Sequence, residues 1–286
     1  MAAASLAATA QRDGVEWRLT GPLGLAYAAF FAAPLLLLLT ISFYDDADLT
    51  RISGSQWVKF FSDPFYLSVV GRTLRLGAVT VLATSLLSFP LALVFCASRP
   101  GVQRLLLLIM IMPLLTSVVV RTFAWIVILA REGVINQAVL TLGLSAAPLP
   151  LLQTETGLVL ALIQIDMPLM LLPLITVMRA LDPNVVDASR ALGASRWHTV
   201  FQVIFPLSLP GWVAGASLVF ASSVTAFISQ SVIGGGRLLF LPNVIWQQSM
   251  VVYNWPLAAV AAVTLLVTVL TGIGLLAAAG APLGRR

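Results

Sequence analysis

Six stretches of this chain, near residues 22–43, 68–97, 105–130, 156–179, 208–233 and 256–280, are apolar and long enough to cross the roughly 30 Å hydrocarbon layer of a bilayer as helices. This feature constrains the fold most, because a backbone surrounded by lipid must satisfy its own hydrogen bonds. With 59% hydrophobic residues, 9% charged residues and a mean hydropathy of +1.00, the 286-residue chain lies outside the usage of soluble domains. The expected fold class is all-α: a polytopic membrane protein of six transmembrane helices, with a tail at 1–20, a membrane domain over 21–280 and a second tail at 281–286.

An even number of spans puts both ends on one side. That side carries Arg12, Arg18, Arg99, Arg104, Arg179, Arg190, Arg196, Arg285 and Arg286, against Arg51, Lys59, Arg131 and Arg237 opposite. By the positive-inside rule both termini are expected in the cytoplasm. The first twenty residues lack a basic start followed by an apolar segment and cleavage site, so the first apolar run is expected to be a retained anchor rather than a signal peptide.

Several chemistries are excluded by single residues. Lys59 is the only lysine and lies between Val58 and Phe60, so no glycine-lysine phosphate loop exists to bind ATP. His198 is the only histidine and Cys96 the only cysteine, which rules out an intrachain disulfide and a Cys/His metal cluster. Cys96, inside an apolar run, reads as a small buried thiol. The arginines are scattered between apolar runs and form no basic patch for nucleic acid. No catalytic residue, metal or cofactor is therefore expected in this chain.

The connections carry more information. The first external loop, about 44–67, combines Asp45, Asp46, Asp48 and Asp63 with Trp57, Phe60 and Phe61, and is expected to include a short interfacial helix. In 133–144 the apolar residues Val134, Ile135, Ala138, Val139 and Leu142 make one helical stripe, predicting a short helix that Pro148 and Pro150 would end. Between spans four and five, Asp182 followed by Pro183 reads as an N-cap with proline at the first helical position, and Gly193 as the stop. A second short helix is expected from near Ser195 to before Pro206. A capped, half-apolar helix suits either a docking knob for another protein or an amphipathic helix on the membrane surface.

The segment DASRALGASRWHTVFQVIFPLSLPG, from Asp187 to Gly211, resembles the EAA loop of binding-protein-dependent ABC permeases. Asp187, Ala188 and Ser189 stand at the E-A-A positions, Gly193 at the glycine, and Val203 to Pro206 at the closing hydrophobic-x-x-P element. Aspartate replaces the usual glutamate and serine the second alanine. PLLTSVVVRTFAWIVILAREGVINQAVLTLGL (113–144), PLMLLPL (168–174) and NWPLAAVAAV (254–263) are similar to polyamine-type (spermidine/putrescine) permeases, so the likeness covers about residues 20–280. The resemblance implies the type I importer permease fold in a bacterial inner membrane, with a cytoplasmic coupling loop at 181–206. It implies as partners two copies of an ABC ATPase that binds ATP and Mg, a second permease subunit, identical or related, and an extracytoplasmic solute-binding protein. Asp187, Ala188, Ser189, Gly193, Ala194 and Pro206 are then the residues that couple to the ATPase. The implied solute is a polyamine, with another small organic solute such as an amino-acid derivative or opine as the alternative.

A mid-span carboxylate costs roughly 2.5–3.5 kcal/mol to insert, so it tends to face a cavity or a partner. Asp166, beside Gln164 and ahead of Pro168, fits that description, and reads either as a cation site in the solute path or as a group satisfied within the protein. Arg121, one helical turn before Trp125, could pair with it or serve a structural contact. Ser222, Thr225 and Gln230 in span five, and Trp246 in the loop after it, are further candidates for the path, with helix packing and an aromatic belt as the plainer readings. A secondary transporter would couple through buried acids, and Asp166 is the only mid-span one. A membrane enzyme would need a nucleophile and base, yet His198 lies in a loop.

Overall fold

The computed structural model describes residues 2–280, with side chains from Gly21 onward. The expected tail at 281–286, with Arg285 and Arg286, lies outside the described residues. Helix α1 runs from Ala2 to Ile41, so it begins within the segment read as the first tail. Then follow α2 (Ser55–Ser62), α3 (Pro64–Ala97), α4 (Pro100–Leu115), α5 (Val118–Leu129), α6 (Val134–Thr141), α7 (Glu155–Arg179) and α8 (Pro183–Ala191). The chain continues with α9 (Arg196–Thr199), α10 (Phe205–Thr225), α11 (Phe227–Gly234), α12 (Leu241–Trp246) and α13 (Trp255–Gly280). Among the described residues the β-type pairing is confined to an isolated bridge, Tyr44 to Ile52, in the first external loop. Five helices are long and apolar enough to cross a membrane, or six spans result if α4 with α5–α6, bent by 104° at their break, counts as one.

Local chemistry sets the helix starts. The Asp63 carboxylate accepts from the Phe65 amide at 2.8 Å, with Pro64 at the first position of α3. Thr154 accepts from the Gly157 amide at 3.2 Å to open α7. Gly143, at φ +68°, closes the helical segment that begins with α6 five residues before Pro148, so the glycine rather than the prolines ends it.

Helix α7 is the axis of the bundle, packed between α3 and α10, with Leu158, Leu162, Met170, Leu171 and Leu174 fully buried. Glycines bring α10 against it. A Cβ at Gly211 would lie 2.8 Å from the Pro173 carbonyl oxygen and 2.9 Å from the Val177 side chain, and one at Gly215 would lie 2.8 Å from Met170 Sδ. Without a hydrophobic driving force between helices in lipid, such close approach is what holds them together. Gly211→Val is expected to cost about 1–3 kcal/mol through overpacking. Thermal unfolding in detergent checks this, with Gly24→Val, whose Cβ meets nothing within 4 Å, as the neutral control.

Two apolar runs read as single spans are broken helices. The third, 105–130, is interrupted at Thr116 and Ser117, just past Pro113, which removes one rung of the backbone ladder. The fifth, 208–233, is interrupted at Ala226, whose φ of −71° and ψ of 57° leave the helical region. The second loop helix also differs from its expected form. It does not stop before Pro206 but passes from α9 through a π-turn over Val200–Ile204 directly into α10. Phe205 donates to the Val200 carbonyl five residues back, and this wider turn carries the helix past a proline that lacks an N–H.

Candidate functional site

The two helix breaks meet. Val118, at the start of α5, lines the same cleft, about 410 Å³, as Ser222, Thr225, Phe227 and Ser229 around the α10–α11 break. The Thr122 and Ser229 hydroxyls lie 3.2 Å apart and tie α5 to α11. Each break frees backbone carbonyls in an apolar setting, and side chains take them up. Arg121 Nη2 donates to the Thr116 carbonyl at 3.1 Å, and Gln230 Nε2 donates to the Ser223 and Val224 carbonyls at 2.9 and 3.3 Å.

Beside this cleft Asp166 is buried, 1% exposed. Its Oδ1 accepts from the Ser222 hydroxyl at 2.7 Å, while its Oδ2 has no partner among the described residues. Ser222 thus stands between the cleft and the carboxylate. No ion pair within 4.0 Å joins Arg121 to Asp166 among the described residues, and Arg121 Nε is likewise without a partner there. One turn along α5, the Trp125 indole donates to Gln164 Oε1 at 3.1 Å.

The candidates from the sequence therefore separate. Asp166, Ser222 and Thr225 gather at the α10–α11 break, and Gln164 pairs with Trp125. Gln230 is fully buried and holds the break. Trp246 is half exposed, its ring 6.0 Å from that of Phe227 at the cleft edge. Thr122 and Ala226 had not been singled out, because hydropathy counts do not register a break repaired by side chains. The clue was Pro113 followed by the polar pair Thr116 and Ser117 inside an apolar run.

At the far end of the spans, α8 is capped as its sequence predicts. Asp182 accepts from the Asn184 amide at 2.9 Å, and Gly193 closes the helix at φ +84° with its amide on the Arg190 carbonyl at 2.9 Å. The Ala194 amide reaches the Ser189 carbonyl at 3.1 Å, and the Ser189 and Thr199 hydroxyls, 3.1 Å apart, fasten α8 to α9. None of the residues of α8 is buried, and Asp187 and Arg190 form an exposed pair at 3.6 Å. Leu192 is 89% exposed and Trp197 73%, the latter stacked on Phe201. Pro206 lies within the first turn of α10 rather than in the loop.

A family model described as the binding-protein-dependent transport system inner membrane component matches residues 14–278. The chain belongs to that family. This permease is a multi-pass inner-membrane protein of an ABC importer. The spermidine/putrescine transport system permease protein PotB of Haemophilus influenzae is 30% identical over 247 residues, which cover 83% of this permease and 84% of that relative. A bacterial ABC transporter involved in the import of the acidic polysaccharide alginate matches with a TM-score of 0.76 at 15% identity, over 97% of this permease and 99% of that chain. A bacterial alginate ABC transporter in complex with alginate pentasaccharide-bound periplasmic protein matches at 0.72 and 16% identity, over 92% and 93%. At those identities the likeness carries the fold of the permease and nothing about its solute.

Proposed function

We propose that this permease passes a polyamine of the spermidine or putrescine class across the inner membrane, driven by ATP hydrolysed in a separate subunit. The observation that carries the solute class is its 30% identity, over most of both chains, to a permease named for spermidine and putrescine. Asp166 supports it: a buried carboxylate with one free oxygen, beside a mainly apolar cleft that carries the Ser222, Thr225 and Ser229 hydroxyls, is what an ammonium group in the membrane needs.

In this reading both termini are cytoplasmic, and α8 with the Gly193 turn seats in an ATPase subunit that binds ATP and Mg. Asp187, Ala188, Ser189, Gly193 and Ala194 make or shape that contact, and Pro206 holds the start of α10 that carries the movement inward. Two ATPase subunits, a second permease and an external solute-binding protein complete the assembly. Solute enters from the binding protein when closure of the ATPases turns the path outward, and leaves inward after hydrolysis. The unpaired Nε of Arg121 near the same cleft favours, as the second reading, a solute that also carries an anionic group, such as an amino-acid derivative.

The deciding experiment is ATPase activity of the permease copurified with its partner subunits in nanodiscs, titrated with spermidine and putrescine in the presence of the binding protein. Stimulation by either polyamine, lost in Asp187→Lys, is the expected result. Hydrolysis indifferent to both polyamines overturns the solute class, and failure of any ATPase to copurify overturns the assembly.

A further inference from the structure

A cleft of about 580 Å³ lies away from the helix breaks, behind α8. Its floor is the last turns of two spans, with Leu93, Cys96 and Ala97 from α3 and Met178 and Arg179 from α7. Its roof is one face of α8, since Pro183, Val186, Asp187 and Arg190 follow the i, i+3, i+4, i+7 spacing. The opposite face, with Val185, Ala188 and Leu192, stays open to a partner. Val200 and Ile204 of the π-turn close the side.

The charge of this cleft is one-sided. Arg179, Arg190 and Arg196 all line it, against the single carboxylate of Asp187, which is already paired with Arg190. Arg179 is steered into place by a hydrogen bond to Gln103 Oε1 and by the Phe95 ring, whose centroid is 4.9 Å from its guanidinium carbon. Neither Arg179 nor Arg196 has an acidic partner within 4.0 Å among the described residues. A polycationic solute is repelled from such a place, so the cleft is not part of the path proposed above.

Apolar walls continuous with two membrane spans, under a crown of arginines at the span ends, match an anionic amphiphile. Val94, next to Leu93, is 56% exposed on the outside of α3 and extends the apolar wall toward lipid. We propose that this cleft binds an anionic phospholipid, its phosphate held by Arg179 and Arg196 and the upper part of its acyl chains against Leu93, Val186 and Ile204. Basic pockets between membrane helices at a bilayer surface hold such headgroups. The lipid sits against the inner face of α8 while the outer face is free, so its presence sets how firmly α8 is propped. The proposal rests on the transport reading only in placing the cleft at the cytoplasmic leaflet.

Cys96 lines the cleft and is the only cysteine of the chain, so its alkylation reports on this site alone. The test is the rate of N-ethylmaleimide modification of the full chain in nanodiscs of phosphatidylcholine, with and without phosphatidylglycerol. Phosphatidylglycerol is expected to slow the reaction, and each of Arg179→Gln and Arg196→Gln to weaken the apparent lipid affinity about fivefold. The variants must keep the wild-type rate in pure phosphatidylcholine, which shows that the cleft is intact. Equal wild-type rates in the two lipids overturn the proposal by themselves, whatever the variants do. Protection by inorganic phosphate as strong as by the lipid assigns a free-anion site instead, and protection that needs an added ATPase subunit assigns a protein contact; either overturns the lipid. Because the assay uses neither solute nor hydrolysis, its failure leaves the transport reading untouched, and the reverse holds as well.

Discussion

Asp166→Asn is expected to raise the polyamine concentration needed for half-maximal uptake by about tenfold to a hundredfold, the worth of a hydrogen bond to a charged group, roughly 1.5–3 kcal/mol. Asparagine keeps the size of the side chain, and its carbonyl oxygen can still accept from the Ser222 hydroxyl, now at 2.7 Å from Oδ1. What it removes is the negative charge on an oxygen that has no partner of its own. The expected signature is therefore a higher KM with unchanged assembly, measured as radiolabelled spermidine uptake by proteoliposomes of the whole complex. Ser222→Ala should act in the same direction and more weakly, since it loosens the carboxylate without neutralising it. If Asp166 serves only the packing of α7 on α10, the asparagine variant transports with an unaltered KM, and the site at the helix breaks is not the solute site.

Gly193→Leu is expected to lower ATP-driven uptake by about tenfold while leaving the chain in the membrane. Gly193 has φ of +84°, and a Cβ there meets nothing within 4 Å, so the penalty of a side chain is purely conformational. A non-glycine residue in the left-handed region costs roughly 1–2 kcal/mol, and 1.4 kcal/mol is a factor of ten in a docking equilibrium. That cost falls on the turn that joins α8 to α9, where the Gly193 and Ala194 amides close the helix on the Arg190 and Ser189 carbonyls. Asparagine enters the left-handed region more readily than other side chains, so Gly193→Asn should recover most of the activity. Equal activity of the leucine and asparagine variants, at any level, would remove the turn geometry as the cause.

How much of this was present in the sequence depends on the range of the interaction. The caps of α8 lie within a dozen residues of one another, so Asp182, Pro183 and Gly193 named its two ends before any packing was known. The π-turn that carries α9 into α10 was misread as a stop at Pro206, because proline ends a helix only when no wider turn takes up the missing donor. Asp166 announced itself as the only acid in the middle of a span, whereas its partner Ser222 is 56 residues away and came from the packing of α10 on α7.

Apolar length and capping are local properties of consecutive residues, so the helical class, the apolar runs able to cross a membrane and the start of the loop helix could all be read along the chain. Where two of the spans break, and what gathers at the breaks, came instead from packing between helices distant in the chain. An interrupted backbone in lipid survives when other groups take up its carbonyls, as Arg121 does at Thr116 and Gln230 at Ser223. The breaks share a cleft only because packing sets Val118 of α5 against the α10–α11 break and places Ser222 on the buried Asp166 of α7. That juxtaposition belongs to three helices at once, and no window along one of them contains it.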